Sequence, residues 1–341
     1  MRKLRATITA SCILMGCGSD LPLEPSCVQT DHVRTKVDAA QDAAIWVDRK
    51  QPESSRVIGT NKRAGLHLYD LTGREVQFVP LGGINYVDLR SGFPFTDGSA
   101  PIIAASSSKR NPADSTIMLL RFDEASRRIV PEPITQFVTG LKRGGVGICL
   151  YQSKDGSIHV GAAGSGAFRQ WRLEKNVDGS IRAVPVRELK LKTSAEGCVF
   201  DDTLRRLYIS EEKLGLWRLA AEPEDGDVME LIDSVKPNGG LADIEGVAVY
   251  ARDDGTGYLI ASSQGDSSFR VYRREGDNEL VGSFRVDDCP SGPVMRTTGI
   301  EVTSASLGAE WPAGMLVVQD NETKPQNFKY VAWDQIEKRL R

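Results

Sequence analysis

Six carboxylates stand at related places in short apolar segments of the chain. Asp42, Glu196, Asp243 and Glu245 lie at the starts of such segments, Glu212 (with Glu211 beside it) closes a second segment shortly after Glu196, and Asp320 closes another near the end. Carboxylates in a sequence with only three His and no Cys-x-x-Cys favour hard, oxygen-seeking cations, with Ca²⁺ preferred over Zn²⁺. Basic residues show a parallel pattern. Lys62 and Arg63 follow VIGTN, and Lys109 and Arg110 follow AASSS, so two consecutive units present a cationic pair after the same kind of strand. Arg offers bidentate contacts and Lys a point charge, which together suit a phosphate. Acids and bases at one mouth suit an anionic substrate bridged by metal. Each acid taken alone is equally at home capping a turn, and each base solubilising a loop.

The elements that position these residues are read from repetition. Six segments share one design, a polar lead-in followed by a small apolar strand: DAAIWVD from Asp42, NYVDLR from Asn85, GVGICLY from Gly145, AEGCVFD from Ala195, DIEGVAVY from Asp243 and TTGIEVT from Thr297. Each is followed by a second strand ending in small polar residues, such as RLYISEE or GYLIASSQG, then by a third, such as GLWRLA. In the first five units a fourth apolar stretch follows, for example EVQFVPL or VRELKL. The spacing predicts an all-β, six-bladed β-propeller with four-stranded blades, because radial repetition buries both faces of each sheet against its neighbours. The sixth unit lacks a fourth strand, and the segment around Cys27 to Lys36 is expected to supply it and close the ring.

The chain has 341 residues and a formal charge of -3, which gives no general reason to expect a nucleic acid as partner. Arg2, Lys3 and Arg5 precede the apolar stretch Ala6 to Met15, the form of a secretory signal. Leu14-Met15-Gly16-Cys17 resembles a bacterial lipobox. The expected organisation is a signal over 1–16, lipidation at Cys17, a tether over 17–34 and a propeller over 35–341. Removing the signal leaves 40 basic against 46 acidic residues, or -6. The expected place is the cell envelope, at the outer membrane or cell surface through the lipid alone, or periplasmic or secreted without it, as a monomer. Export permits disulfides. Cys27, Cys149, Cys198 and Cys289 remain; Cys27 with Cys289 is the favoured pair because both lie in Pro/Ser-rich loops, with buried free thiols as the alternative.

GTNKRAGLHLYDL, AEGCVFDDTLRRLYISEE, ADIEGVAVY with GYLIASSQGDSSFRVY, and VVQDNETKPQNFKYVAWDQI together resemble the β-propeller phytases from about Asp38 to Ile336. The resemblance implies a secreted, calcium-dependent phosphatase acting on myo-inositol hexakisphosphate (phytate) through a metal-activated water. It implies calcium ligands at Asp42, Glu196, Glu212 and Glu245, phosphate contacts at Lys62, Arg63 and Arg110, and matching last-unit residues at Asp320 and Asn327. Gln41, Ala43, Val146, Gly164 and Thr298 depart from the family pattern. Those departures leave a second function class open, an anchored propeller that binds phosphorylated ligands without turnover.

Overall fold

The computed structural model describes residues 27–107, 115–287, 289 and 292–340. The signal, Cys17 and Arg110 lie outside them. The first sheet contains β2 (Ala40–Trp46), β3 (Arg56–Asn61), β4 (Gly65–Tyr69) and β5 (Glu75–Val79), after a short β1 (Cys27–Gln29) that belongs elsewhere. The second contains β6 (Ile84–Phe95), β7 (Gly98–Ser107), β8 (Thr116–Asp123), β9 (Arg128–Ile129) and β10 (Thr135–Val138). The third runs through β11 (Lys142–Gln152), β12 (Ile158–Lys175), β13 (Ile181–Asp201), β14 (Arg206–Glu211), β15 (Gly215–Ala220) and β16 (Glu230–Ser234). A fourth holds β17 (Ile244–Ala251), β18 (Gly257–Ser263), β19 (Ser268–Arg273) and β20 (Leu280–Phe284). The last holds β21 (Ile300–Thr303), β22 (Met315–Asp320) and β23 (Asn327–Ala332), and α1 (Trp333–Arg339) follows it.

The expectation of six blades is corrected by this topology: continuous hydrogen bonding defines a propeller of five blades. The physical reason lies in β13. Its 21 residues pair with β12 from Ile181 to Ser194 and with β14 from Ala195 to Asp201. Only Lys192-Thr193-Ser194 separates VRELKL from AEGCVFD, with no Gly or Pro to break the strand. Two units expected as separate blades therefore share one six-stranded sheet.

The core sits between sheets. Tyr86, Ile102 and Leu119 of the second sheet pack against Leu150, Val160 and Trp171 of the third, and Ala44, Ile58 and Leu68 of the first against Val87, Ile103 and Leu120 of the second. Middle strands such as β4, β22 and β23 are buried on both faces, which is how a ring of individually unstable units becomes stable.

The ring closes through β1. Cys27 to Gln29 pair antiparallel with Val331 to Lys329 of β23, so the chain's N-terminal segment completes the last sheet. The Cys27–Cys289 disulfide joins residues 262 apart in sequence, and a second disulfide, Cys149–Cys198, lies beside the channel. All four cysteines are oxidised, which removes the free-thiol alternative.

Candidate active site

The channel is lined by β2, β6, β11, the last part of β13, β17 and β21. On five of these strands the register slips at one level, between Ala40 and Ala43, Ile84 and Val87, Lys142 and Gly147, Ala195 and Gly197, and Ile244 and Val247. A β-bulge re-aims a side chain out of the alternating pattern. Asp42, Tyr86, Val146, Glu196 and Glu245 fall at these irregularities, and Thr298 precedes β21 at the corresponding place. Small neighbours let the strands approach. A β-carbon on Gly197 would stand 2.5 Å from the Glu245 carbonyl oxygen, and one on Gly246 would stand 2.4 Å from that of Thr298.

The side chains at this level interact. Tyr86 accepts a hydrogen bond from Gln41 Nε2 (3.0 Å) and donates to Glu196 Oε2 (3.3 Å). Asp42 accepts from the Val87 amide at 3.1 Å. Burial pushes the Asp42 carboxyl well above its ordinary range, against the pull of the Val87 and Ala43 amides. Glu245 is likewise pushed well up, first by burial and then by the charges of Glu196, Glu212 and Asp243, with Lys213 opposing. The Tyr86 phenol is raised by burial and by Glu196, Glu245 and Asp42. Glu245 thus feels Glu196, Glu212 and Asp243 at the mouth, an electrostatic strain that a bound cation would relieve.

Glu212 lies in the β14–β15 turn, where Lys213 Nζ sits 2.9 Å from it and also bonds Asp243. The two acids raise the Lys213 ammonium well above its usual value. Lys62 and Arg63 occupy the β3–β4 turn at the same edge, since Asn61 pairs with Ala40 near the start of β2. Lys62 Nζ contacts Asp38 at 2.5 Å, and Arg63 Nε donates to the Asp38 carbonyl at 3.2 Å. Asp320 is fully buried and paired with the ammonium of Lys329 at 2.8 Å, while Asn327 donates to Gln29 and to the Thr30 carbonyl. The structure thus brings Asp42, Glu196, Glu212 and Glu245 to one mouth and ties Asp320 to a cation of its own.

Thr298 has a structural task. Its hydroxyl lies 2.9 Å from the Gln41 carbonyl oxygen and 3.1 Å from Gln319 Oε1, bridging β21 toward β2 and β22. Two residues went unrecognised in the sequence. Tyr86 holds the place in NYVDLR that Glu196 holds in AEGCVFD, so lining up the six lead-ins column by column would have found it. Lys213 is signalled only by following Glu212. Deeper in the channel Asp88 and Glu301 face inward; burial and the Asp88 charge push Glu301 up to about 8, partly offset by Arg90.

Among the described residues no group of three or more acidic, His or Cys side chains is close enough to form a metal shell. The donor set nonetheless has the right chemistry. It is all oxygen, partly buried, and more negative than its surroundings tolerate, which fits a hard cation rather than a soft one.

A propeller whose channel mouth gathers carboxylates, a phenol and flanking cations has the form of a hydrolase for anionic esters. A family profile described as Phytase matches residues 21–341. A curated relative, the 3-phytase of Bacillus subtilis (strain 168), is 36% identical over 321 residues, covering 92% of this chain and 84% of the relative. The chain belongs to the phytase family and is a phytase-type hydrolase. A solved structure described as U3-55K covers 90% of this chain and 98% of its own with a TM-score of 0.53 at 8% identity, a likeness of fold alone.

Proposed function

We propose that this chain is a calcium-dependent phosphomonoesterase that hydrolyses phytate. The observation that supports the reading most strongly is the convergence of Asp42, Glu196 and Glu245 at the bulged level of the channel, where burial raises Asp42 and burial together with the charges of Glu196, Glu212 and Asp243 raises Glu245. Asp42, Glu196, Glu212 and Glu245 would hold Ca²⁺, which when bound supplies charge compensation to phosphate oxygens and lowers the pKa of a water. Tyr86 orients Glu196 through its hydroxyl. Lys62, Arg63 and Arg110 hold a neighbouring phosphate, so that the ester to be cleaved stays at the mouth. The exported, lipid-anchored form through Cys17 belongs to the same reading, and it places a monomeric enzyme where dissolved phytate is met.

The division of labour is tested by kinetics. Glu245→Ala should abolish nearly all turnover, whereas Arg63→Ala should chiefly raise KM. Equal effects of both substitutions on kcat would contradict the assignment. A binding propeller without turnover is the second reading, favoured by the engagement of Thr298 in structural hydrogen bonds; it requires that the wild-type chain bind phytate and release no phosphate.

A further inference from the structure

Each channel-lining strand is fastened to the next along the channel. From β2 to β6 the Val87 amide donates to Asp42 Oδ2 at 3.1 Å, and from β6 to β11 the Leu150 amide donates to Asp88 Oδ2 at 2.6 Å. From β13 to β17 the Ser210 hydroxyl, carried on β14, bonds the carbonyls of both Gly197 and Glu245. Gly246 N donates to Thr298 O at 2.9 Å, and Gly299 N to Gln41 O at 2.9 Å, which joins β17 to β21 and β21 back to β2. The remaining step, β11 to β13, carries a covalent connection, the Cys149–Cys198 disulfide.

That step falls inside the fused sheet. Because β13 passes from β12 to β14 with no Gly or Pro between, the angle between the two halves of this sheet depends on what the strand touches on either side. The angle decides where Glu196 stands. A β-carbon on Gly147 would lie 2.4 Å from the Glu196 carbonyl oxygen, so β11 and β13 are in backbone contact beside it. Cys198 is two residues beyond Glu196, and Cys149 two beyond Gly147. Both cysteines are buried, at 7% and 1% exposure, which keeps the bond out of reach of solvent.

We propose that the Cys149–Cys198 disulfide is a positioning device of the active site: it holds the fused sheet folded so that Glu196 meets Tyr86 and Glu245 at the mouth. Cys27–Cys289 has a different task, since it fastens the ends of the ring across 262 residues. The two disulfides therefore separate site geometry from ring closure. The catalytic part of this inference rests on the proposed calcium-dependent reaction; the geometric part does not.

The test compares two double variants of the full chain, Cys149→Ala with Cys198→Ala, and Cys27→Ala with Cys289→Ala. Amide hydrogen exchange is followed over residues 194–199 without calcium, and the calcium concentration for half-maximal phosphate release from phytate is measured alongside. Loss of the channel disulfide should speed exchange over 194–199 by about tenfold or more, leave β17 to β20 unchanged, and raise the calcium requirement severalfold. Loss of the ring-closing disulfide should speed exchange at β1 and β23 and leave residues 194–199 and the calcium requirement unchanged. Unchanged exchange over 194–199 in the first variant, or equal acceleration in both, overturns the proposal. A wild-type chain whose phosphate release ignores calcium would remove the functional reading, and the exchange comparison would still decide the positioning role. Should the first variant fail to fold, Cys149→Ala with Cys198→Val refills part of the lost volume, and the same exchange comparison applies.

Discussion

The Tyr86 hydroxyl donates to Glu196 at 3.3 Å, linking the second sheet to the far half of the third across the channel mouth. A hydrogen bond to a charged group contributes about 1.5–3 kcal/mol. Tyr86→Phe keeps the ring and removes that bond together with the one from Gln41, so kcat/KM for phytate should fall by roughly tenfold or more, with a small drop in Tm. Wild-type kinetics in the variant would show that Glu196 needs no such partner.

Close backbone approach makes Gly246 hard to replace. The carbonyl of Thr298 leaves no room for a β-carbon there, and the Gly246 amide bonds that carbonyl. Gly246→Ala should cost about 2 kcal/mol or more by overpacking, read as a lowered Tm, and should displace Glu245 enough to lower activity in the protein that remains folded. An unchanged Tm would mean that β17 and β21 can separate freely.

Thr298→Asp places a carboxylate against the Gln41 carbonyl and Gln319 Oε1, two acceptors that now receive a hydroxyl or amide proton. With excess chelator the variant should be less stable by about 1–3 kcal/mol. Calcium should recover part of that loss, because an added oxygen anion gains most when a cation is present. Melting curves with and without calcium check both statements, and a chelator-treated variant as stable as the parent would contradict the hydrogen-bonding role of Thr298.

Glu301 gives a pH signature away from the mouth. Its carboxyl rises from 4.5 to about 8 through burial and the Asp88 charge, with Arg90 opposing and Asp42 adding to the rise. The folded state therefore keeps a proton that the unfolded state has already lost. This contribution is fully present below the unfolded value and disappears as pH rises through about 8. Calcium-free protein should lose up to about 1.4 kcal/mol per pH unit from this group in that window. Glu301→Gln stays neutral, so its Tm should fall less steeply between the two pH values. Parallel slopes would remove Glu301 as the cause.

Strand order and the acidic lead-ins were legible in the sequence because repetition and period-two patterning report sheet faces directly. The closing role of the segment at Cys27 was legible for the same reason, as the sixth unit was one strand short. The number of blades was not. Whether VRELKL and AEGCVFD end up in separate sheets depends on hydrogen bonding through Lys192-Thr193-Ser194, a local choice that composition does not encode. Tyr86 was hidden by residue type, since a search for carboxylates passes over a phenol in the same column. Asp320 looked equivalent to the other acids until Lys329, nine residues later, proved to be its partner.

Calcium-dependent hydrolysis is decided by phosphate release from phytate by the full chain, followed with saturating calcium and again with excess chelator. Release should be steady with calcium, almost absent with chelator, and restored when calcium is returned. Release that continues undiminished in chelator, or no release at any calcium concentration while phytate still binds, would contradict it.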